Sequence, residues 1–167
     1  MRTIGIAVSI LGLGTATAMA QTEPPPPPMT FVFEETFAVG PARIVGDTPE
    51  GRRQSVPVME GSFTGPGISG RVLAGGADEQ LVRPDGAVTI DARFVLATDD
   101  HVKIAVHNLG IVVPPRPGQT PYAWSTQSFE APAGRYGWLN NAVFVSRIGV
   151  TADKYHRTVR LTVFKAG

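Results

Sequence analysis

Polar side chains that could carry acid–base chemistry stand two residues apart at two places in the middle of the chain. Asp78 is followed by Gln80, and Asp91 is followed by Arg93. Because residues i and i+2 of a β-strand lie on the same face, each pair would present its polar groups together. A positioned carboxylate can transfer a proton, and a guanidinium or an amide can stabilise negative charge that develops on a substrate. Asp91 and Arg93 can also pair with each other, since the guanidinium fork matches a carboxylate.

Two further pairs share a strand face in the same way. Lys103 and His107 lie in one alternating stretch, and Trp138 and Asn140 lie in another. We take Asp78, Asp91 and Arg93 as the candidate catalytic residues, and Gln80, Trp138, Asn140, Lys103 and His107 as the candidate ligand-binding residues. We predict that Asp78, Gln80, Asp91, Arg93, Trp138 and Asn140 converge on one lumen, with Asp91 and Arg93 paired.

The apolar residues around Asp91 and Arg93 leave two orientations open. The charged pair alternates with an apolar set, Val88, Ile90, Ala92, Phe94 and Leu96. If the apolar set lines the core, the charged pair faces water, and periodicity favours this orientation. The reverse orientation gives a polar lumen and an apolar exterior, which self-association would cover.

The elements that must position these residues are β-strands, because the hydrophobic pattern has a period of two. Strands are predicted near residues 30–37, 55–64, 67–75, 79–83, 87–98, 102–112, 124–131, 138–149 and 158–165. Turn-forming residues separate them, as in Arg83-Pro84-Asp85-Gly86. No stretch has the apolar stripe and caps of a helix. Strands joined by short turns pair antiparallel, and closure removes exposed edges. We therefore predict an all-β fold, a single antiparallel meander β-barrel of about eight to nine strands, in preference to a sandwich.

The N-terminal segment predicts export. Arg2 precedes a short apolar run that ends in Ala18-Met19-Ala20, which is the order of charge, apolar core and small-residue cleavage site in a signal peptide. The run is shorter than the ~20 apolar residues that span a bilayer. We predict a signal peptide over residues 1–20, a proline-rich spacer over 21–29 and one barrel domain over 30–167. The expected location is periplasmic or secreted, with no membrane insertion after cleavage.

Composition excludes several classes of function. The chain has 15 Lys and Arg against 14 Asp and Glu, and loss of Arg2 would balance them, so no basic surface for nucleic acid is expected. There is no cysteine, which rules out disulfides and thiol chemistry. The chain lacks a G-x-S-x-G elbow, a phosphate-binding glycine loop and an H-E-x-x-H motif. Its three histidines match no metal-ligand spacing, so we expect neither a metal nor a cofactor.

Several ordered motifs resemble a known family. They are Gly75-Gly76-Ala77-Asp78-x-Gln80-Leu81-Val82-Arg83-Pro84-Asp85-Gly86, Asp91-Ala92-Arg93 with a following aromatic residue, Asn108-x-Gly110, and Tyr136-Gly137-Trp138-Leu139-Asn140 with Val143-Phe144-Val145. Together they resemble the bacterial and fungal domain-of-unknown-function family 3237, over nearly all of residues 31–164. The resemblance implies a small β-barrel of calycin-like shape and no established reaction. The chain departs from it at Glu79, where an aromatic residue is usual, and in its export signal.

Three functions stay open, in this order. The first is the binding of a small organic molecule in the barrel lumen, in the manner of a lipocalin. The second is a cofactor-independent enzyme with isomerase, lyase or cyclase chemistry on a small aromatic or polyketide-like compound. There, Asp78 or Asp91 would transfer the proton, and Arg93 or Asn140 would stabilise developing negative charge. The third is a structural module without a pocket.

Overall fold

A computed structural model describes residues 24–152 and 157–167 of the chain. The predicted signal peptide, residues 1–20, and the first residues of the spacer lie outside the described residues. So does the turn over residues 153–156.

Strands make up almost all of the described chain. They are β1 Met29–Val39, β2 Arg43–Thr48, β3 Gly51–Gly65, β4 Ile68–Val82, β5 Val88–Thr98, β6 Lys103–Val113, β7 Tyr122–Glu130, β8 Phe144–Ala152 and β9 Arg157–Ala166. A single 3-10 helix, Gly137–Asn141, precedes β8. No helix in the described ranges is long and apolar enough to cross a membrane.

The strands form one antiparallel sheet that closes on itself. Its order is β1-β9-β8-β7-β6-β5-β4-β3-β2, and β1 also pairs with β3. Eight strands therefore make a closed barrel, while β2 pairs only with the first part of β3 and lies outside the ring. The prediction of an all-β antiparallel barrel is confirmed.

Two glycines of β3 allow the barrel to close. At Gly61 a Cβ atom would overlap the carbonyl oxygen of Thr36, and at Gly65 it would overlap that of Val32. Both overlapped atoms belong to the backbone of β1, which cannot give way as a side chain can. The absence of a side chain at these two positions thus lets β1 pack across β3.

Three details of the strand prediction were wrong. The stretches 67–75 and 79–83 form one strand, β4, whose pairing with β5 shifts between Leu73 and Ala77. Strand β2 was not predicted, because its residues are exposed and show no buried alternation. The stretch 138–149 begins as a 3-10 helix and becomes a strand only at Phe144.

An aromatic cluster closes one end of the barrel. The ring centroid of Phe33 lies 5.5 Å from that of Phe63 and 5.8 Å from that of Phe129. Phe129 in turn lies 5.0 Å from Phe144, edge to face. Leu139 of the 3-10 helix is 1% exposed and belongs to the same buried core. This end of the interior is therefore filled by side chains.

Candidate functional site

A cavity of about 260 Å³ lies inside the barrel, on the side away from the aromatic cluster. Its wall is mostly apolar, with Phe37, Val39, Val56, Val58, Val88, Ile90, Ala92, Val112, Ile148, Val150, Val159 and Leu161. The polar lining residues are Asp78, Gln80, Asn108 and Arg157. Val150 is 53% exposed, which places the mouth of the cavity near the end of β8. We call this space the lumen cavity.

One cross-strand row carries polar groups around the inside of the barrel. Asp78 of β4 pairs with Ala92 of β5, Ala92 with Asn108 of β6, and Asn108 with Gln127 of β7. From the end of this row, the amide Nε2 of Gln127 donates a 3.1 Å hydrogen bond to Oε2 of Glu35 on β1. Two serines, Ser125 of β7 and Ser146 of β8, pair with each other beside the row. We call Glu35, Asp78, Asn108, Ser125, Gln127 and Ser146 the polar belt.

Glu35 carries the more deeply buried of the two carboxyls in the belt. It is fully buried, and desolvation raises its pKa from 4.5 to about 8, although the hydrogen bond from Gln127 acts in the opposite direction. The carboxyl is therefore protonated and neutral at pH 7. A neutral carboxyl can donate a hydrogen bond as well as accept one.

Asp78 contributes a carboxyl to the wall of the lumen cavity. Burial raises its pKa, opposed by hydrogen bonds from the Gln80 side chain and from the backbone N–H of Asp91. The N–H of Asp91 lies 3.0 Å from Oδ1 of Asp78. Gln80 is itself held by Gln54, whose Nε2 donates a 2.7 Å hydrogen bond to Oε1 of Gln80. This chain of amides fixes the direction of the Asp78 carboxyl toward the lumen.

The structure places Asp78 and Gln80 in the wall of the lumen cavity, but it does not bring Asp91 and Arg93 there. Their neighbours Ala92 and Phe94 are buried in the core, and strand alternation sends Asp91 and Arg93 to the outer face. The predicted Asp91–Arg93 pair is not formed. Instead, Oδ1 of Asp91 lies 2.8 Å from Nε2 of His107. The prediction that this pair lines the lumen was wrong, and the apolar periodicity was the better guide.

Trp138 and Asn140 also lie away from the lumen cavity. Both belong to the 3-10 helix at the closed end of the barrel, so they do not share a strand face. The Asn140 side chain holds a loop, since its Oδ1 accepts from the backbone N–H of Ala131 and its Nδ2 donates to the Ala131 carbonyl, each at 2.8 Å. Trp138 is 42% exposed, and its ring centroid lies 6.0 Å from that of Phe144. Their predicted convergence with Asp78 was wrong.

The remaining candidates lie on the outside of the barrel. Lys103 is exposed at the start of β6, and His107 is half-buried on the outer face. Where the β4–β5 pairing shifts, an outer groove of about 430 Å³ brings Arg93 and His107 together with Ser128 and Glu130. Within residues 24–152 and 157–167, no three His, Asp or Glu side chains are placed to hold a metal ion.

Sequence reasoning missed five members of the polar belt, which are Glu35, Asn108, Ser125, Gln127 and Ser146. Glu35 stands between Phe33 and Phe37 on the inner face of β1. Asn108 continues the buried face of β6, and Gln127 that of β7. The signal that could have found them is a polar residue in phase with an apolar strand face, because such a residue is buried if the face is.

Comparison with known proteins places the chain in a sequence family. A family model described as "Protein of unknown function (DUF3237)" matches residues 27–166. A UPF0311 protein of Clostridium acetobutylicum is 35% identical over 127 residues, which cover 68% of this chain and 80% of that protein.

Solved structures share the barrel. A protein of Acinetobacter baumannii described as β-barrel like matches with a TM-score of 0.76 and 27% identity, over 88% of this chain and 100% of that one. A protein of Penicillium herquei described as an enzyme matches with a TM-score of 0.65 and 21% identity, over 86% of this chain and 98% of that one. At that identity the likeness concerns the fold alone.

Proposed function

The chain belongs to the DUF3237 family of proteins of unknown function, and from its interior we propose that it binds a small organic molecule in the lumen cavity. The observation that carries the proposal is the composition of the cavity wall. Apolar side chains surround the space, and Asp78, Gln80 and Asn108 add a few polar groups. Ligand pockets have this composition, because apolar surface supplies affinity and sparse polar groups fix orientation.

The size of the cavity limits the occupant. Its volume of about 260 Å³ is below the range of roughly 300–1,000 Å³ that holds drug-sized ligands. One or two fused rings with small substituents would fit, and a long acyl chain would not. Arg157 lines the mouth, so the entrance carries a positive charge.

Binding can be tested with 2-naphthol, whose fluorescence responds to transfer from water to an apolar site. We expect saturable binding to the wild type. Ile90→Phe adds volume to the cavity wall and should weaken binding at least tenfold. The matched control is Thr89→Phe, which changes the next residue along β5, outside the cavity lining, and should bind as the wild type does. Equal binding by both variants would contradict a site in the lumen.

Cofactor-independent acid–base catalysis is the second candidate function. It is favoured by burial, which raises the pKa of the Asp78 carboxyl on the cavity wall and raises the pKa of Glu35 to about 8, since buried carboxyls with raised pKa values are typical of acid–base sites. The reaction classes in view are isomerase, lyase and cyclase chemistry on a small aromatic or polyketide-like compound. Asp91 and Arg93 have no part in this candidate because they face outward.

Proton abstraction can be measured without knowing the natural substrate. 2-Tetralone in D2O exchanges the hydrogens beside its carbonyl, and NMR follows the loss of their signals. If Asp78 is the proton-transfer group, the wild type accelerates this exchange and Asp78→Asn does not. Exchange at the buffer rate with both proteins would argue against this candidate and would leave binding untouched.

We further propose that the barrel acts outside the cytoplasm, in the periplasm or as a secreted protein. Support comes from Arg2, the apolar run after it and the Ala18-Met19-Ala20 motif.

A further inference from the structure

Five side-chain oxygens of the polar belt are buried without a hydrogen bond to any described protein atom. They are Oε1 of Glu35, Oδ1 of Asn108, Oγ of Ser125, Oε1 of Gln127 and Oγ of Ser146. Buried polar atoms in proteins nearly always have a partner. Three neighbouring strands, β6, β7 and β8, carry four of the five unpartnered oxygens, and β1, one strand further on beyond β9, carries the fifth. Together they indicate a place built to receive a polar group.

The belt offers both kinds of hydrogen-bonding group. Gln127 donates its amide N–H to Oε2 of Glu35, so the free Oε1 of Gln127 is an acceptor. Oδ1 of Asn108 is a second acceptor. With Oε2 of Glu35 occupied as an acceptor, a proton on Oε1 makes the carboxyl a donor. The serine hydroxyls can do either.

The belt lies at the inner end of the lumen cavity. Asn108 belongs both to the belt and to the cavity wall. Phe37 and Ile148, which also line the cavity, are two residues along the same strand faces from Glu35 and Ser146 respectively. Leu161 of the wall is the cross-strand partner of Glu35. A molecule that fills the cavity with its apolar part would thus point its inner end at the belt.

We propose that the polar belt is the head-group subsite of the cavity and that it takes an uncharged hydroxyl group, with the apolar body of the ligand outward. The inference rests on the proposed binding function and specifies its ligand class. A hydroxyl donates one hydrogen bond and accepts others, which matches the acceptors of Asn108 and Gln127 and the donor of Glu35.

A carboxylate head does not fit the same place. The belt contains no Lys, Arg or His, and the carboxyl of Asp78 faces the same cavity. Burying an anion there would leave its charge without a partner and beside another carboxyl. The one cation of the cavity wall, Arg157, stands on β9 at the mouth.

Three probes of one shape separate these possibilities. Naphthalene, 2-naphthol and 2-naphthoate are titrated into the full-length protein at pH 6.5, with fluorescence and calorimetry as readouts. We expect 2-naphthol to bind at least tenfold more tightly than naphthalene, because a site with unpaired buried polar groups disfavours a ligand that lacks the matching hydroxyl. We expect 2-naphthoate to bind more weakly than naphthalene.

Variants then locate the head group. Asn108→Val should bring the affinities for 2-naphthol and naphthalene to within threefold of each other, and Ser125→Ala should reduce their ratio. Glu35→Gln keeps a donor and an acceptor and should keep the preference for 2-naphthol. The matched control His107→Val changes the adjacent residue on the outer face of β6 and should leave all three affinities unchanged.

Each contrary result has a distinct meaning. If naphthalene and 2-naphthol bind the wild type within threefold, the hydroxyl subsite is overturned and cavity binding stands. Tight binding of 2-naphthoate that Asn108→Val does not alter would place the head at Arg157 and overturn the inference. If none of the three probes binds, the proposed function itself is overturned.

Discussion

Glu35 and Gln127 meet across the inside of the barrel, where Nε2 of Gln127 donates a 3.1 Å hydrogen bond to Oε2 of Glu35 although 92 positions separate them in sequence. Both residues are buried. The contact joins β1 to β7, which are separated in the sheet by β9 and β8, so the Glu35 carboxyl links two strands that do not pair with each other.

The first prediction concerns the pH dependence of stability. Burial raises the pKa of Glu35 from 4.5 to about 8, so between these values the folded protein keeps a proton that the unfolded chain releases. The free energy of unfolding should therefore fall as pH rises through this window, by about 1.4 kcal/mol per pH unit, and then level off above the folded pKa. Below pH 4.5 Glu35 is neutral in both states and contributes no slope.

The Glu35→Gln variant isolates this contribution, because glutamine has nearly the same shape and does not titrate. Urea unfolding of both proteins at pH 5 and pH 8 should show the wild type losing about 3–4 kcal/mol relative to the variant. Other titrating groups cancel in this difference. A difference that stays constant with pH would contradict a buried neutral Glu35.

The second prediction contrasts two adjacent residues of β5. Arg93 is exposed on the outer face, whereas Phe94 is 4% exposed and its ring lies 5.4 Å from that of Phe37. Arg93→Ala should lower the free energy of unfolding by at most about 1 kcal/mol. Phe94→Ala should lower it by about 3–5 kcal/mol, because it leaves a cavity in the core. Urea unfolding of both variants measures these changes. A large decrease in the free energy of unfolding with Arg93→Ala would mean that Arg93 makes buried contacts.

The third prediction concerns the loop that leads into the 3-10 helix. Asn140→Ala removes both 2.8 Å hydrogen bonds to the backbone of Ala131. Since the side chain is exposed and water can replace it, the cost should be about 1 kcal/mol. Amide hydrogen exchange at Ala131 should accelerate. Asn141→Ala, which removes a single 3.5 Å contact to the Gly137 carbonyl, is the control and should not accelerate exchange at Ala131.

The fourth prediction concerns export. If residues 1–20 are a signal peptide, the exported protein begins at Gln21, which mass spectrometry of the N-terminal peptide will show. Ala20→Phe puts a large side chain at the cleavage site and should leave uncleaved precursor, whereas Ala16→Phe, farther from that site, should not. An exported protein that still contains Met1 would contradict the prediction.

The barrel could be predicted from sequence because most of its strands alternate between core and solvent. Strand β2 could not, since Ile44 and Val45 are 58% and 71% exposed and neither packs in the core. The 3-10 helix was not predicted for another reason. Trp138, Asn140 and Phe144 are separated by two and by four residues, as residues on one strand face are, and over so short a stretch this spacing does not distinguish a strand from a helical turn.

The candidate site could be predicted only in part. Asp78 and Gln80 were found because their spacing puts both on one face, and that face is the inner one. Asp91 and Arg93 have the same spacing on an outer face, so spacing alone could not distinguish a pair on the inner face from a pair on the outer face. Glu35 shows which signal identifies an inner face. Phe33 and Phe37, two residues before and after it on the same strand face, are both buried.

Closure of the barrel through β1 has a consequence for how the chain reaches its native state. Strand β1 pairs with β9, where Met29 is the partner of Ala166, and with β3. The ring is incomplete until β9 has been synthesised, and the segment that joins β1 to β9 spans most of the barrel. In chains dominated by such distant contacts, the entropy cost of closing a long loop arises before the stabilising contacts form. Such chains fold in milliseconds to seconds. We therefore expect the pairing of β1 with β9 to form late in folding.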